Sequence, residues 1–172
     1  MKEIDGDLIK LAKEGMFDVI THGCNCFCTM SAGIAPQIKK AFPEAWKADL
    51  QTERGDIKKL GNFSYGIHKG VGITAIDLTK GELGFSNQKD LIIINIYSQY
   101  KYGRNHVDGD ENPIDYEALT LALRKINKIY SGKTIGLPKI GSGLAGGDWN
   151  RIKNIIEKEL KHMDVVIIHY KN

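Results

Sequence analysis

The chain has little charge of one sign. Its formal net charge is +3, and its 24 Lys and Arg residues are scattered along 172 positions. No basic run is interleaved with aromatics, so no specific nucleic-acid binding is expected. No apolar stretch approaches the ~20 residues of a membrane span. The start, Met1-Lys-Glu-Ile-Asp-Gly6, lacks the apolar block of a signal peptide. No membrane association and a cytoplasmic location are therefore expected. Cysteine is scarce: Cys24, Cys26 and Cys28 form a C-x-C-x-C run. An odd, clustered set excludes a disulfide framework. No second Cys/His cluster completes the four ligands of structural zinc, so no metal and no cofactor are expected, and the thiols read as reduced and partly buried. Repeats, low-complexity segments and linkers are absent too. Residues 1–172 are expected to form one domain with its own core.

What is present alternates between two periods. Asp7 to Glu14 reads as a short helix with Asp7 as N-cap. Met16 to Thr21 reads as a strand, Gly23 to Gly33 as a loop of small residues, and Ile34 to Phe42 as a helix stopped by Pro43. Gly61 to His68 and Gly72 to Leu78 read as a strand pair. Leu91 to Tyr97 is apolar almost throughout, as in a strand covered on both faces. Gly103 to Pro113 is a polar loop that is a candidate gate. Asp115 to Tyr130 is an amphipathic helix with Leu119, Leu123, Ile126 and Ile129 on one face. A strand at Thr134 to Leu137, a helix at Asp148 to Leu160 and a strand at Val165 to His169 close the chain. This order predicts a three-layer α/β/α domain with a mixed, largely parallel sheet. Ligands of such sheets sit beyond the carboxyl ends of the strands. Two glycine-rich loops follow strands there, Thr21 to Gly33 and Lys139 to Gly147.

The second loop carries the strongest signal. Gly141-Ser-Gly-Leu-Ala-Gly-Gly147 holds four glycines in seven residues before a helix. Such backbone approaches a ligand closely and aims N–H groups at an anion. The pattern satisfies G-x-G-x-x-G, but only one strand follows it, so a dinucleotide-binding βαβ unit is not supported. No Gly-Lys-Ser/Thr follows, which excludes a Walker loop. The remaining readings are a diphosphate held by main-chain donors, with Ser142 adding its hydroxyl, or glycines that serve turning alone. Asp148 is either a helix cap, a group that works on the ligand, or both. His22 is placed at the mouth of the first loop, where it is either an acid/base or a neutral residue holding a carbonyl. Asn25 either orients a sugar hydroxyl or fixes its turn. Tyr97, Tyr100 and Tyr102 either stack on a base or pack at the rim.

Together these pieces resemble the macro domain family, which binds ADP-ribose. Gly6-Asp-Leu-Ile9 resembles the family's early Gly-Asp-Ile/Leu turn, His22-Gly-Cys-Asn25 its Asn-Ala-Ala-Asn motif, Ser31-Ala-Gly-Ile-Ala35 its first phosphate loop, and Gly141 to Gly146 its second. The resemblance covers essentially the whole chain. It implies that Asp7 and Leu8 meet the adenine end, and that Asn25 meets the distal ribose. It further implies that Ala32, Gly33 and Ile34, with Gly141, Ser142, Gly143, Leu144 and Ala145, hold the diphosphate. Tyr100 is expected among the ligand-binding residues.

His22 and the closing Gly-Asp-Trp149 point within the family to ADP-ribose 1''-phosphate phosphatases and terminal ADP-ribose protein glycohydrolases. In the phosphatase branch a His and an Asp in matching places are implicated, here His22 and Asp148 as the catalytic pair. The glycohydrolase branch uses a Lys at the central strand's exit and an Asp after Gly-Leu. Tyr100 and Lys101 stand near the first position and Ala145 at the second, which argues against a Lys-based cleavage. The expected activity is metal-free dephosphorylation of ADP-ribose 1''-phosphate to ADP-ribose. The alternatives are hydrolysis of ADP-ribosylated protein, nucleic acid or O-acetyl-ADP-ribose, and a non-catalytic ADP-ribose reader. ADP-ribose or its 1''-phosphate, and ADP-ribosylated macromolecules, are the expected partners.

Overall fold

A computed structural model describes residues 1–72, 88–101 and 113–170. The elements in chain order are β1 (Lys2–Asp5), α1 (Leu8–Lys13), β2 (Val19–Asn25), α2 (Ala35–Ala41), α3 (Pro43–Leu50), a 3₁₀ turn (Ile57–Lys59), β3 (Phe63–Val71), β4 (Lys89–Gln99), α4 (Tyr116–Ile129), β5 (Thr134–Leu137), α5 (Trp149–Glu159) and β6 (Asp164–His169). Most of the expected second strand of the pair (73–78), the Gly103–Glu111 gate and Tyr102 lie outside the described residues.

The strands form one six-stranded sheet in the order β1-β6-β5-β2-β4-β3. Every pairing is parallel except β3 with β4. The mixed, largely parallel sheet read from the sequence is therefore the one observed. Strand alternation sends side chains to two faces. On one face Val19, Ile94, Ile96 and Ile135 pack against Leu119, Leu123 and Ile126 of α4 and Ile152 and Ile156 of α5. On the other, Ile20, Leu91 and Ile93 pack against Leu8 and Ala12 of α1, Ile38 of α2 and Ala45 of α3. Burial on both faces explains why β4 reads as a continuous apolar run.

Two elements were not anticipated and two local readings are corrected. The helix α2 does stop before Pro43, with Phe42 as its C-cap, but Pro43 then opens the unanticipated α3, where a missing N–H costs nothing. β1, a polar edge strand, has no local signal and exists through its register with β6, Lys2 opposite Val166. Ile129 does not share the buried face of α4; it sits at the helix end, 62% exposed. Most consequentially, β2 does not stop at Thr21 but runs to Asn25, which carries His22 into the middle of the sheet.

Candidate functional site

The topology gathers the expected site at one edge. β1, β2, β4, β5 and β6 run in the same direction. The segments after them therefore share the carboxyl side: Gly6-Asp7 after β1, residues 26–34 after β2, Tyr100-Lys101 after β4 and residues 138–147 after β5. β2 and β5 are direct neighbours, Val19 opposite Ile135. The two glycine-rich turns consequently follow neighbouring strands on the same side of the sheet.

The first turn ends at α2, whose N-terminus has no side-chain cap. Gly33 precedes it with φ +62°, and the space where a Cβ would stand is open. Ala32 and Gly33 are exposed and Ile34 is half-buried.

In the second turn the glycines do different jobs. Gly141 has φ +72°, and a Cβ there would lie 2.1 Å from Ile114 Cδ1. Gly147 is hemmed in as well, with a would-be Cβ 2.7 Å from Gly141 O and from Ile152 Cδ1. Packing accounts for both. Gly143 has neither a positive φ nor any atom within 4 Å of a would-be Cβ. Nothing among the described residues requires a glycine there; a closely approaching ligand would. Leu144 beside it is 73% exposed, while Ala145 is buried and its carbonyl accepts from Ile114 N at 3.2 Å. The Ser142 hydroxyl donates to Lys139 O at 3.0 Å, so it braces the turn instead of pointing a donor outward.

Asp148 caps α5: Oδ1 accepts from Asn150 N at 2.8 Å and Arg151 N at 3.3 Å. The residue is exposed, at the end of the glycine turn. Its own N–H donates to Tyr116 Oη at 2.9 Å. Arg151 lies 3.8 Å above the Tyr116 ring, and Lys139 lies 5.6 Å from the Trp149 ring centroid. Tyr116 and Arg151 were not anticipated; their link to Asp148 joins separate helices and leaves no local mark. Asp7 caps α1 in the same manner, Oδ1 accepting from Ile9 N at 2.8 Å and Lys10 N at 3.1 Å. The Leu8 side chain is buried in the core, which leaves only its backbone to a ligand.

His22 is placed differently from the sequence reading. It is fully buried, opposite Asn95 of β4 in the sheet register, with Nε2 2.9 Å from Asn95 Oδ1. Asn95 Nδ2 donates to Ala45 O at 2.8 Å and to Ser64 Oγ at 2.9 Å, so Asn95 Oδ1 is the acceptor and His22 carries its proton on Nε2. Burial holds the imidazole down at about 4, neutral near pH 7. The fully buried, hydrogen-bonded ring favours the reading of His22 as a neutral residue held inside the fold over the acid/base reading. Tyr97 is also interior, its hydroxyl bonded to Ser64 and Asp49. Tyr100 packs edge-on to Phe27 with centroids 5.2 Å apart and donates to Gly55 O at 3.0 Å, which favours the rim-packing reading over base stacking. Asn25 is committed to its own loop: Oδ1 accepts from Phe27 N and Nδ2 donates to Thr29 Oγ1, both at 2.8 Å. Among the described residues, no three His, Cys, Asp or Glu side chains group as a metal site requires, and no helix is long and apolar enough to cross a membrane.

Comparison with known proteins sharpens the identity. No family model matches the chain. A 17.5 kDa protein from the tk-vs intergenic region of Enterobacteria phage T4 is 35% identical over 176 residues, covering 99% of this chain and 97% of the phage protein. An ADP-ribose 1''-phosphate phosphatase of Meyerozyma guilliermondii is 24% identical over 96% of this chain and 97% of its own length. Among solved structures, the macrodomain of Thermus aquaticus DarG superposes with a TM-score of 0.61 at 20% identity, covering 99% of this chain and 97% of that one. The chain is a macrodomain by fold, in the family that contains the phage T4 protein. A second macrodomain, from Trypanosoma brucei and solved in complex with ADP-ribose, matches with a TM-score of 0.57 at 14% identity, over 98% of this chain and 62% of its own.

Proposed function

We propose that this macrodomain binds ADP-ribose and hydrolyses a conjugate of it, ADP-ribose 1''-phosphate first among the candidates. The observation that carries the reading is the pair of turns on neighbouring parallel strands, each presenting a glycine, Gly33 or Gly143, whose Cβ position is open. A pyrophosphate between them would accept from main-chain N–H groups of Ala32 to Ile34 and of Gly143 to Ala145. Asp7 would meet the adenine amine and Asn25 the distal ribose, the latter after exchanging its bond to Thr29. The names of the yeast phosphatase and of the ADP-ribose-bound macrodomain support the ligand class.

In the proposed reaction the Asp148 carboxylate takes a proton from a water that attacks the 1''-phosphorus. The new P–O bond forms as the bond to the C1'' oxygen breaks, and that oxygen takes its proton from solvent. Main-chain N–H groups of the second turn would stabilise the charge that builds on the phosphoryl oxygens. His22 contributes through Asn95 by tying β2, which leads into the first turn, to β4 beside it. No metal enters the scheme.

Burial of His22 also favours a second reading, an ADP-ribose reader without turnover. One experiment separates them: titration with ADP-ribose, followed by incubation with ADP-ribose 1''-phosphate and assay of inorganic phosphate. Binding with phosphate release supports the hydrolase, and binding without release supports the reader. No heat with ADP-ribose would refute both.

A further inference from the structure

A second cluster of charged and nucleophilic groups lies under the first turn. Asp49 and Lys59 are 1% and 7% exposed, with Lys59 Nζ 3.9 Å from Asp49 Oδ1. Lys59 Nζ also donates to Cys26 O at 3.0 Å and to Cys28 Sγ at 3.2 Å. Cys28 Sγ lies 3.2 Å from Asp49 O and 3.4 Å from Thr52 Oγ1. The network continues inward. Tyr97 Oη donates to Asp49 Oδ1 at 2.8 Å, Ser64 Oγ lies 2.8 Å from Tyr97 Oη, and Asn95 bridges from Ser64 to His22.

Cys28 is the half-buried end of this chain, whereas Cys24 and Cys26 are buried. Burial raises both of those thiols, Cys26 to about 11, which makes them poor nucleophiles. Cys28 is the one of the three with an ammonium in hydrogen-bond contact with its sulfur among the described residues, and its thiol is half-exposed where the other two are shut in. Asp49 Oδ2 is buried with no hydrogen-bond partner among the described residues. An S–OH hydroxyl is the kind of donor this oxygen lacks. Cys28 also holds φ +54° and Met30 φ +37°, conformations a non-glycine residue keeps only while its surroundings enforce them.

We propose that Cys28 is a site of oxidation by hydrogen peroxide, and that its oxidation loosens the first glycine turn. The Cys28 sulfur attacks one peroxide oxygen. An S–O bond forms, the O–O bond breaks, and the leaving hydroxide takes a proton to become water. Sulfur loses two electrons to peroxide and becomes a sulfenic acid. The added oxygen has to displace the contacts to Lys59 or Thr52 made by Cys28, which with Met30 holds left-handed backbone. The loosening of a ligand turn rests on the proposed ADP-ribose reading; the oxidation does not.

The test is to treat the reduced protein with hydrogen peroxide, trap sulfenic acid with dimedone and quantify the three cysteines by peptide mass spectrometry. Cys28 is expected to label at least about tenfold faster than Cys24 or Cys26, and Lys59→Gln to slow it about tenfold. Because Lys59→Gln removes a buried partner of Asp49, its fold is checked by circular dichroism, and Cys28→Ser serves as the second variant. That variant is expected to bind ADP-ribose as the parent does and to become insensitive to peroxide. Oxidised parent protein is expected to bind ADP-ribose at least about threefold more weakly, with recovery under thiol reductant. Equal labelling of the three cysteines, or none at Cys28, overturns the site. Labelling at Cys28 with unchanged ADP-ribose affinity overturns the coupling to the turn. Failure of the unoxidised protein to bind ADP-ribose sinks the functional reading, while the labelling still decides the oxidation site.

Discussion

Two glycines two positions apart should respond to substitution in opposite ways. At Gly141 a methyl group meets a positive φ and an Ile114 carbon 2.1 Å away. The backbone term is about 1–2 kcal/mol, and forcing a methyl into packed surroundings adds about 1–3 kcal/mol. Gly141→Ala is expected to cost roughly 2–5 kcal/mol in total. For a chain of this length that lowers Tm by roughly 4–20 °C. At Gly143 there is neither term, so Gly143→Val is expected to stay within about 0.5 kcal/mol of the parent. Its side chain would occupy the space assigned to the pyrophosphate. Losing one hydrogen bond to a charged acceptor costs about 1.5–3 kcal/mol, so ADP-ribose affinity should fall at least about tenfold. Thermal denaturation and calorimetric titration of both variants supply the two readouts. If Gly143→Val binds ADP-ribose as the parent does, the second turn is not a diphosphate cradle. If it unfolds as readily as Gly141→Ala, the open space at Gly143 has been misjudged.

Asp148 offers a separation of cap from catalyst. Asn caps a helix as well as Asp does, so Asp148→Asn should leave Tm unchanged yet cut phosphate release at least about a hundredfold, whereas Asp148→Ala should also lose about 1 kcal/mol of stability. Retained turnover in the Asn variant would make Asp148 a cap only. His22 should impose a pH slope. Its imidazole titrates at about 4 in the fold and near 6.5 in the unfolded chain, so between these values the unfolded state binds the extra proton. Stability is therefore lost as pH falls through that window, by about 2 kcal/mol between pH 7 and pH 5, with no further loss from this group below about pH 4. Urea denaturation at the two pH values checks this, and His22→Gln should lack that part of the slope. An equal slope in His22→Gln would place the titration elsewhere.

The sequence reading succeeded where a single local pattern governs the outcome. β5 falls where it was expected, and α4 and α5 differ by one residue at each end, because apolar spacing and Asp caps mark them. It failed where a residue's meaning depends on a partner distant in sequence. Gly23 and the alternating cysteines resemble a loop, yet Gly23 is a strand residue whose would-be Cβ lies 3.2 Å from Ser98 Oγ and 3.4 Å from Ile140. Ending β2 early put His22 at the mouth of a loop instead of the interior, whereas its pairing with Asp148 came from the resemblance. The Gly-rich turns themselves were legible, but which glycine serves packing and which stands open depends on Ile114 and Ile152. Asp49 and Lys59 were passed over, since neither lies in a motif.

The two turns are shaped by different physics. The second is fixed by apolar contact: Gly141 and Gly147 are pressed against Ile114 and Ile152, and the turn closes through Gly147 N to Gly141 O at 2.9 Å. The first has no such packing at Gly33. It is tied instead to a chain of polar groups that starts at His22 and passes through Asn95, Ser64, Tyr97, Asp49 and Lys59 to Cys28. Burying these groups costs free energy, and only a nearly complete set of partners offsets it. A neutral His22 keeps the inner end free of unpaired charge, while Lys59 offsets Asp49 at the outer end. The interior is thus tied to the first turn through polar side chains, whereas apolar packing holds the second. Under the proposed oxidation of Cys28, a ligand held by both turns would meet one wall fixed by packing and one whose geometry changes with that thiol.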